Sequence, residues 1–342
     1  MAKEDPPVDW DKLSFSLTPT DMMWTTECEA GSEWKKGEIK PYGNISISPA
    51  AAVLNYGQGL FEGMKAQRSP EGNILIFRPD RNAARMASGA ARLGMQEVPE
   101  ALFIEGVKAC VAANARWVPP PHKGALYIRP VLWGSGPILG VASAPSYTFM
   151  IYCSPVGPYF KGGMTPISLL CSDEYHRAAP GGQGGIKAVG NYSAGIVPST
   201  QAKGNGFSEI IYLDAREKKY IEEVGSANFF CAKGNVLYTP ELVGTILPGV
   251  TRASIIQMAR DMGHEVQELR LSVEHAMDCD EAFCTGTAAV ISPIGKITHG
   301  DQSKEFCGGE VGPITKKLYE HLTKLQTGEL PDPHGWVVKV DV

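Results

Sequence analysis

The sequence predicts a two-domain fold of mixed α+β or α/β type. Three observations carry that prediction: the length, the strand-type alternation of the first half, and a Gly-rich break followed by a more even succession of strands and helices. The chain has 342 residues, and domains commonly run to about 100–200, so about two are expected. Hydrophobic residues make up 43% and charged residues 20%, as in a packed core rather than a disordered chain or a coiled coil.

The elements follow in order. Residues 45–48, 74–77, 125–129 and 147–153 are rich in β-branched and aromatic side chains and bounded by Gly or Pro, the mark of strands. Two helices interrupt them. Residues 80–93 are rich in Ala, Arg and Met and start behind Arg78-Pro79. Residues 102–118 place Phe103, Val107, Cys110, Val111 and Trp117 at helical spacing, and three prolines from Pro119 stop the helix. Residues 159–185 change character, with Gly-rich stretches on either side of a strand at 167–171, and read as an inter-domain connection leading into a functional loop. Beyond it, strands are expected at 209–214, 229–232, 236–238, 266–271 and 281–285, and helices at 251–262, 273–277 and 314–326. Residues 229–232 and 236–238 should form a hairpin around Lys233-Gly234-Asn235.

Lys+Arg 32 against Asp+Glu 37 gives a net charge of −5. A mildly acidic chain without a basic stripe is not built for nucleic acid or for an anionic membrane surface. No apolar run reaches the roughly 18 residues of a spanning helix. The opening residues show no basic, apolar or Arg/Ser-rich leader, so a cytoplasmic location is expected, or a plastid or mitochondrion if a transit peptide has been removed. Eight cysteines without a CxxC pair read as reduced thiols, and seven histidines without metal-type spacing suggest no metal site.

Five features could carry chemistry. Four glycines precede Lys187, which Ile186, Ala188 and Val189 flank. Apolar neighbours desolvate an amine and lower its pKa, which suits a lysine that forms Schiff bases; the alternative is a solvated lysine on a flexible loop. Glu222-Glu223-Val-Gly-Ser226 follows a strand. A buried carboxylate there needs a cationic partner such as a protonated pyridine nitrogen; the alternative is an exposed acidic pair at a turn. Gly249-Val250-Thr251 opens a helix whose free N–H groups and positive end make a phosphate seat, although Thr251 could equally be an ordinary N-cap. Thr285-Gly286-Thr287-Ala288 is a hydroxyl-rich turn ending a strand. Arg78 and Arg129 sit at apolar strand ends, placed to clamp phosphate or carboxylate or to form structural ion pairs.

Taken together, these segments resemble the branched-chain aminotransferases, pyridoxal-phosphate enzymes of fold type IV (D-amino-acid aminotransferase-like). The resemblance runs from about Phe15 to Val340. It rests on NYGQGLFEGM from Asn55, IFRP from Ile76, YIRP from Tyr127, GGIKAVGNY from Gly184, EVGS from Glu223, GTILPGVTR from Gly244 and GTA from Gly286. The phrasing is similar to the plant-type branch. It implies a small α+β domain over residues 1–160, a connection over 161–174 and a large cofactor-binding domain over 175–342 with a barrel-like β core, and a homodimer.

The resemblance also implies roles. Lys187 would bind pyridoxal 5′-phosphate covalently and shuttle the substrate proton. Tyr192 would face the cofactor's phenolic oxygen and Glu223 its pyridine nitrogen. Arg78, the N–H groups of Val250 and Thr251, and the hydroxyls of Thr251 and Thr287 would hold the phosphate, with Ser226 in the same cofactor shell. Phe15, Tyr56, Phe61, Tyr127 and Tyr159 would line an apolar pocket for the side chain of leucine, isoleucine or valine. Arg129 with Tyr127 would take the distal carboxylate of glutamate, and Ala288 the α-carboxylate.

The implied reaction is ping-pong exchange of the amino group with 2-oxoglutarate, in branched-chain amino acid biosynthesis or breakdown. Alternatives are a methionine or chain-elongation transaminase and a D-amino-acid transaminase-like enzyme. Ala289 and Ser292 stand where some animal members carry a redox CxxC, so that thiol switch should be missing.

Overall fold

The computed structural model describes residues 6–157 and 164–342. They divide into two compact units. The first holds residues up to 157 together with Ile186–Val189 and Thr323–Val342; the second holds residues 164–185 and Gly190–Leu322.

In chain order the strands are β1 (Met22–Glu29), β2 (Glu38–Pro41), β3 (Gly59–Phe61), β4 (Met64–Arg68), β5 (Ile74–Phe77), β6 (Ala125–Gly134), β7 (Ser146–Val156), β8 (Ile167–Ser172) and β9 (Glu209–Leu213). They continue as β10 (Ile221–Val224), β11 (Ala227–Lys233), β12 (Val236–Pro240), β13 (Glu265–Leu269), β14 (Glu281–Gly286), β15 (Val290–His299), β16 (Gln302–Glu305) and β17 (Val337–Val340). The helices are α1 (Ala52–Tyr56), α2 (Pro79–Arg92), α3 (Glu100–Ala113), α4 (Gly190–Ser193), α5 (Ile196–Gly204), α6 (Val250–Asp261), α7 (Val273–Met277) and α8 (Pro313–Gln326).

The first unit is built on an antiparallel sheet in the order β17-β5-β4-β6-β7-β1-β2, with β3 beside β6. Helix α3 presses on it through Gly106, where a Cβ would come within 2.9 Å of the Trp24 ring and 3.0 Å of Ile151. Phe103 from α3 stacks on Phe149 from β7 with ring centroids 5.6 Å apart, inside a core that also holds Trp24, Cys110 and Ile128. Helix α2 uses the same device. A Cβ on Gly89 would meet Leu60 at 3.0 Å and Ile186 at 3.7 Å, so the missing side chain brings α2 onto β3 and onto the lysine segment.

In the second unit, β10 pairs with both β9 and β11, which closes the order β10-β9-β8-β15-β14-β11 into a ring. The pairs β8–β9 and β8–β15 are parallel. Leu169, Ile211, Phe229, Ala282 and Ile294 from ring strands share one core. Helix α6 buries Ile255, Met258 and Ala259.

The expected elements and the observed ones differ in places. Residues 45–48 form no strand, despite their alternation. The helix expected to run to 118 ends at Ala113. Asn114, fully buried, spends its side chain on the N–H and C=O of Met22 and on Cys110 O, and only a 3-10 turn, Ala115–Trp117, follows. Glu222 and Glu223 lie in β10, not at an exposed turn. The division is also not a simple cut at residue 160. The strand expected within the 161–174 connection belongs to the second sheet, and residues 186–189 and 323–342 return to the first unit. With those returns the first unit holds more residues than the second, the reverse of the expected small-then-large order.

Candidate active site

In the first unit, Ile186–Val189 runs beside β3 and meets it in a single antiparallel bridge. Phe61 N–H donates to Lys187 O at 3.2 Å, Val189 N–H donates to Gly59 O at 3.1 Å, and Ala188 bridges Leu60. Alternation decides which side chains turn inward: Ile186 and Ala188 are buried, while Lys187 and Val189 lie on the other side, half-buried. The lysine is therefore fixed by backbone pairing, not carried on a flexible loop.

Its amine stands 4.6 Å from the centroid of the Phe61 ring. The Arg129 guanidinium carbon stands 4.6 Å from the centroid of the same ring and 5.2 Å from that of Tyr127. Arg129 Nη2 donates to the Tyr127 hydroxyl at 3.3 Å, and Phe15 packs edge-on against Tyr127 at 5.1 Å. The Tyr127 hydroxyl also lies over Gly63, where a Cβ would be 2.0 Å away. Burial pushes the Tyr127 phenol up, with the Arg129 charge opposing. Lys187, Phe61, Arg129, Tyr127 and Phe15 thus form one continuous set of contacts. Tyr56 is placed differently: it is 41% exposed, and its hydroxyl donates to Leu139 O. Tyr159 lies outside the described residues.

Arg78 caps α2 in the left-handed conformation, φ 49°. Its N–H donates to Trp336 O at 2.7 Å, and its guanidinium lies 4.5 Å over the Trp336 ring. The C-terminal strand β17, which the sequence reading did not find, brings that tryptophan to it.

The second unit gathers the other candidates. Glu223 is 2% exposed in β10. Its Oε1 accepts from Leu247 N–H at 2.5 Å and lies 3.0 Å from Arg177 Nη2. Arg177, which sequence reasoning missed, is itself buried and also donates to the carbonyls of Gly184 and Thr245. Glu222 is buried as well; burial pushes its carboxyl up, and its Oε2 has no hydrogen-bond partner among the described residues.

Leu247 leads into α6. Asn228 from β11 donates to Leu247 O at 3.0 Å, and Gly249 is packed so closely on it that a Cβ would come within 2.1 Å of Asn228 Oδ1. Gly249 is the N-cap of α6 and offers no side-chain cap, so the first N–H groups, of Val250 and Thr251, face an anion-favouring helix end. Thr251 is inside the helix and not its N-cap. Arg252 anchors the far side of this turn, donating to Pro240 O at 2.9 Å and to Glu268 at 2.8 Å. Tyr192 lies in the short helix α4, Ser226 is exposed at the turn between β10 and β11, and Thr287 and Ala288 form the turn between β14 and β15.

The class IV amino-transferase profile matches residues 59–297. The chain belongs to the class IV aminotransferases. A chloroplastic branched-chain-amino-acid aminotransferase of Arabidopsis thaliana is 51% identical over 333 residues, covering 97% of this chain and 80% of the relative. A mitochondrial branched-chain amino acid aminotransferase of Humulus lupulus is 48% identical, covering 98% and 85%. A methionine aminotransferase of Arabidopsis thaliana is 45% identical, covering 98% and 94%. Among solved structures, the Escherichia coli branched-chain amino acid aminotransferase aligns with TM-score 0.80 at 28% identity, covering 94% of this chain and all of that one. A T.th. branched-chain amino acid aminotransferase with pyridoxamine 5′-phosphate aligns with TM-score 0.80 at 27% identity, covering 94% and 99%.

Within this class IV aminotransferase a second lysine stands out that the sequence reading passed over. Lys65 in β4 lies opposite Tyr127 of β6, and burial lowers its amine to about 8. Its signal in the sequence is a charged residue inside a strand of otherwise buried alternation, Met64 and Ala66.

Proposed function

We propose that the protein is a pyridoxal-phosphate-dependent branched-chain-amino-acid transaminase, exchanging the amino group of leucine, isoleucine or valine with 2-oxoglutarate. The observation that carries this reading is the Phe61 ring, with an amine and a guanidinium each 4.6 Å from its centroid. An arrangement of this kind offers apolar surface to an aliphatic side chain and a cation beside it to glutamate. One site can then serve both half-reactions. Aspartate, one methylene shorter, reaches the arginine less well.

The residues present fit the cofactor. The uncapped start of α6 suits its phosphate, and the buried Glu223 suits a protonated ring nitrogen. Bound pyridoxal 5′-phosphate supplies an aldehyde that accepts the amino group and a ring that withdraws electrons from the substrate Cα. Lys187 holds it covalently and moves the Cα proton at Nζ. Glu223 keeps the ring nitrogen protonated, and the Tyr192 hydroxyl orients the phenolic oxygen. Arg78, Val250, Thr251 and Thr287 bind the phosphate, with Ser226 beside them. Phe15, Phe61 and Tyr127 shape the side-chain pocket, Arg129 and Tyr127 take the distal carboxylate, and Ala288 takes the α-carboxylate through its N–H.

We also place the active form as a homodimer. Leu139 and Val141 are 93% and 86% exposed beside the half-exposed Tyr56, an apolar surface that a second copy would cover. Among the described residues no helix is long and apolar enough to cross a membrane. The cysteines are free, and all but Cys307 are buried, which suits a reducing compartment such as the cytosol, a plastid or a mitochondrial matrix.

The test is a set of rates with resolved enantiomers. Activity on L-leucine, L-isoleucine and L-valine with 2-oxoglutarate is expected. Turnover of D-alanine without L-leucine overturns the reading. The likeness to the methionine aminotransferase supports a second substrate class, and a kcat/KM for methionine above that for leucine would select it.

A further inference from the structure

We propose that Arg177 is a positioning residue for the cofactor, one guanidinium that locks the Glu223 carboxylate, the Gly-rich loop and the loop before α6 into a single arrangement. The inference rests on the transaminase reading and goes beyond it, because neither motif nor spacing singles out this arginine. The argument starts from its contacts. A buried guanidinium needs several acceptors to replace water, and Arg177 finds them on three separate segments. They are Glu223 Oε1 at 3.0 Å on β10, Gly184 O at 3.0 Å on the Gly-rich loop, and Thr245 O on the loop before α6.

The glycines make that meeting possible. A Cβ on Gly184 would lie 2.1 Å from Thr245 O and 2.4 Å from Ala178 Cβ, and a Cβ on Gly185 would lie 2.9 Å from Gly244 O. Two glycines of the loop are thus required by close packing on residues 244 and 245, where the carbonyls of Gly184 and Thr245 come within reach of one side chain. The same carboxylate oxygen takes Leu247 N–H at 2.5 Å, and Asn228 holds Leu247 O. A single network therefore fixes the acid intended for the ring nitrogen and the turn that aims the α6 N–H groups at the phosphate.

Charge makes the same demand. Two adjacent buried carboxylates, Glu222 and Glu223, lie near this guanidinium, whose single charge offsets no more than one of them. That leaves an electrostatic preference for one more positive charge, which a protonated ring nitrogen meets. All three oxygens meet one nitrogen, Nη2; lysine could supply the charge, but its amine is one bond nearer the backbone and would fall short of the three oxygens together.

The experiment compares wild type, Arg177→Met and Arg177→Lys. Cofactor-free protein is titrated with pyridoxal 5′-phosphate by fluorescence quenching. The visible absorbance of the lysine-linked cofactor is then followed against pH. Amide hydrogen exchange is measured on the cofactor-free proteins. Arg177→Met is expected to weaken cofactor binding at least tenfold and to move the pH midpoint of the visible band. Arg177→Lys is expected to keep that midpoint, to weaken binding, and to speed exchange at the Leu247 amide. If Arg177→Met does not fold, the lysine variant carries the test through binding and exchange. Binding within twofold of wild type and unchanged Leu247 exchange in the lysine variant overturn the proposal. So does a fall in melting temperature without either change. A wild type that takes up no pyridoxal phosphate overturns the transaminase reading, and this inference with it; a wild type that binds it while the variants behave identically overturns this inference alone.

Discussion

Glu62 in the first unit and Glu223 in the second are both buried carboxylates, 0% and 2% exposed, and each faces an arginine. Their donors are arranged differently. Glu62 is held on both oxygens: Arg85 Nε reaches Oε1 at 2.8 Å, while Arg85 Nη2 and Asn82 Nδ2 reach Oε2 at 2.7 Å each. That is a fork-to-fork pair joining the end of β3 to α2, and it closes on itself. Around Glu223, Arg177 and Leu247 N–H gather on Oε1, and the arginine divides itself between the carboxylate and two carbonyls. Burial and an ion pair alone do not separate these two carboxylates; what each arginine is also committed to does.

Substituting each carboxylate sharpens that contrast most. Glu223→Gln is expected to lower kcat by about 100- to 1,000-fold, the scale of losing one preorganised charge in a water-excluded site. Glu62→Gln is expected to leave kcat of the folded enzyme close to wild type and to cost about 3–5 kcal/mol of stability, because Arg85 is left buried without its counter-charge. Steady-state rates and denaturant melts on both variants read the two effects, and a crossed result breaks the comparison.

A smaller effect is expected in the first unit. Arg129→Leu should lower kcat/KM for glutamate by about 10- to 100-fold, the worth of a charge-assisted hydrogen bond, and should change leucine far less. Equal losses for both substrates would remove Arg129 from the distal-carboxylate role. The exposed apolar loop gives a prediction of similar kind: Leu139→Asp should shift sedimentation from dimer toward monomer.

The smallest effect is on stability against pH. Burial pushes the Cys171 and Cys284 thiols up to about 12 from an ordinary 9.0. Each keeps its proton in the folded chain at pH values where the unfolded chain has lost it. The unfolded state then binds fewer protons, so stability falls as pH rises. The contribution is intact below about 9 and disappears toward 12. Urea melts at about pH 8 and about pH 10.5, on either side of the unfolded thiol's pKa, should show the decline, and Cys284→Ala should reduce its slope.

Local chemistry made much of the fold readable. The strands at 74–77 and 125–129 and the helix at 80–93 were visible because apolar periodicity there matches burial. Strand β1 was not, because Met23, Trp24, Thr25 and Thr26 are buried in succession and show no alternation. Strand β10 was hidden by Glu222-Glu223, residues that disfavour a strand unless tertiary partners hold them. Its residue 222 also sits at a register shift between β9 and β10. In the lysine segment, four glycines left a flexible loop open as one alternative, whereas two of them mark close backbone contact. Arg177 could not be found by local pattern at all, since its partners Glu223 and Thr245 lie 46 and 68 residues further along the chain.

The desolvation argument for a reactive lysine also fits Lys65, whose amine burial lowers to about 8. Lys187 differs in standing over the Phe61 ring that Arg129 shares. The most direct measurement therefore separates the two amines. Protein loaded with pyridoxal 5′-phosphate is reduced with borohydride, digested, and its peptides are mapped by mass spectrometry. The account predicts one pyridoxyl adduct, on the peptide that contains Lys187. An adduct on Lys65 with Lys187 unmodified would contradict it.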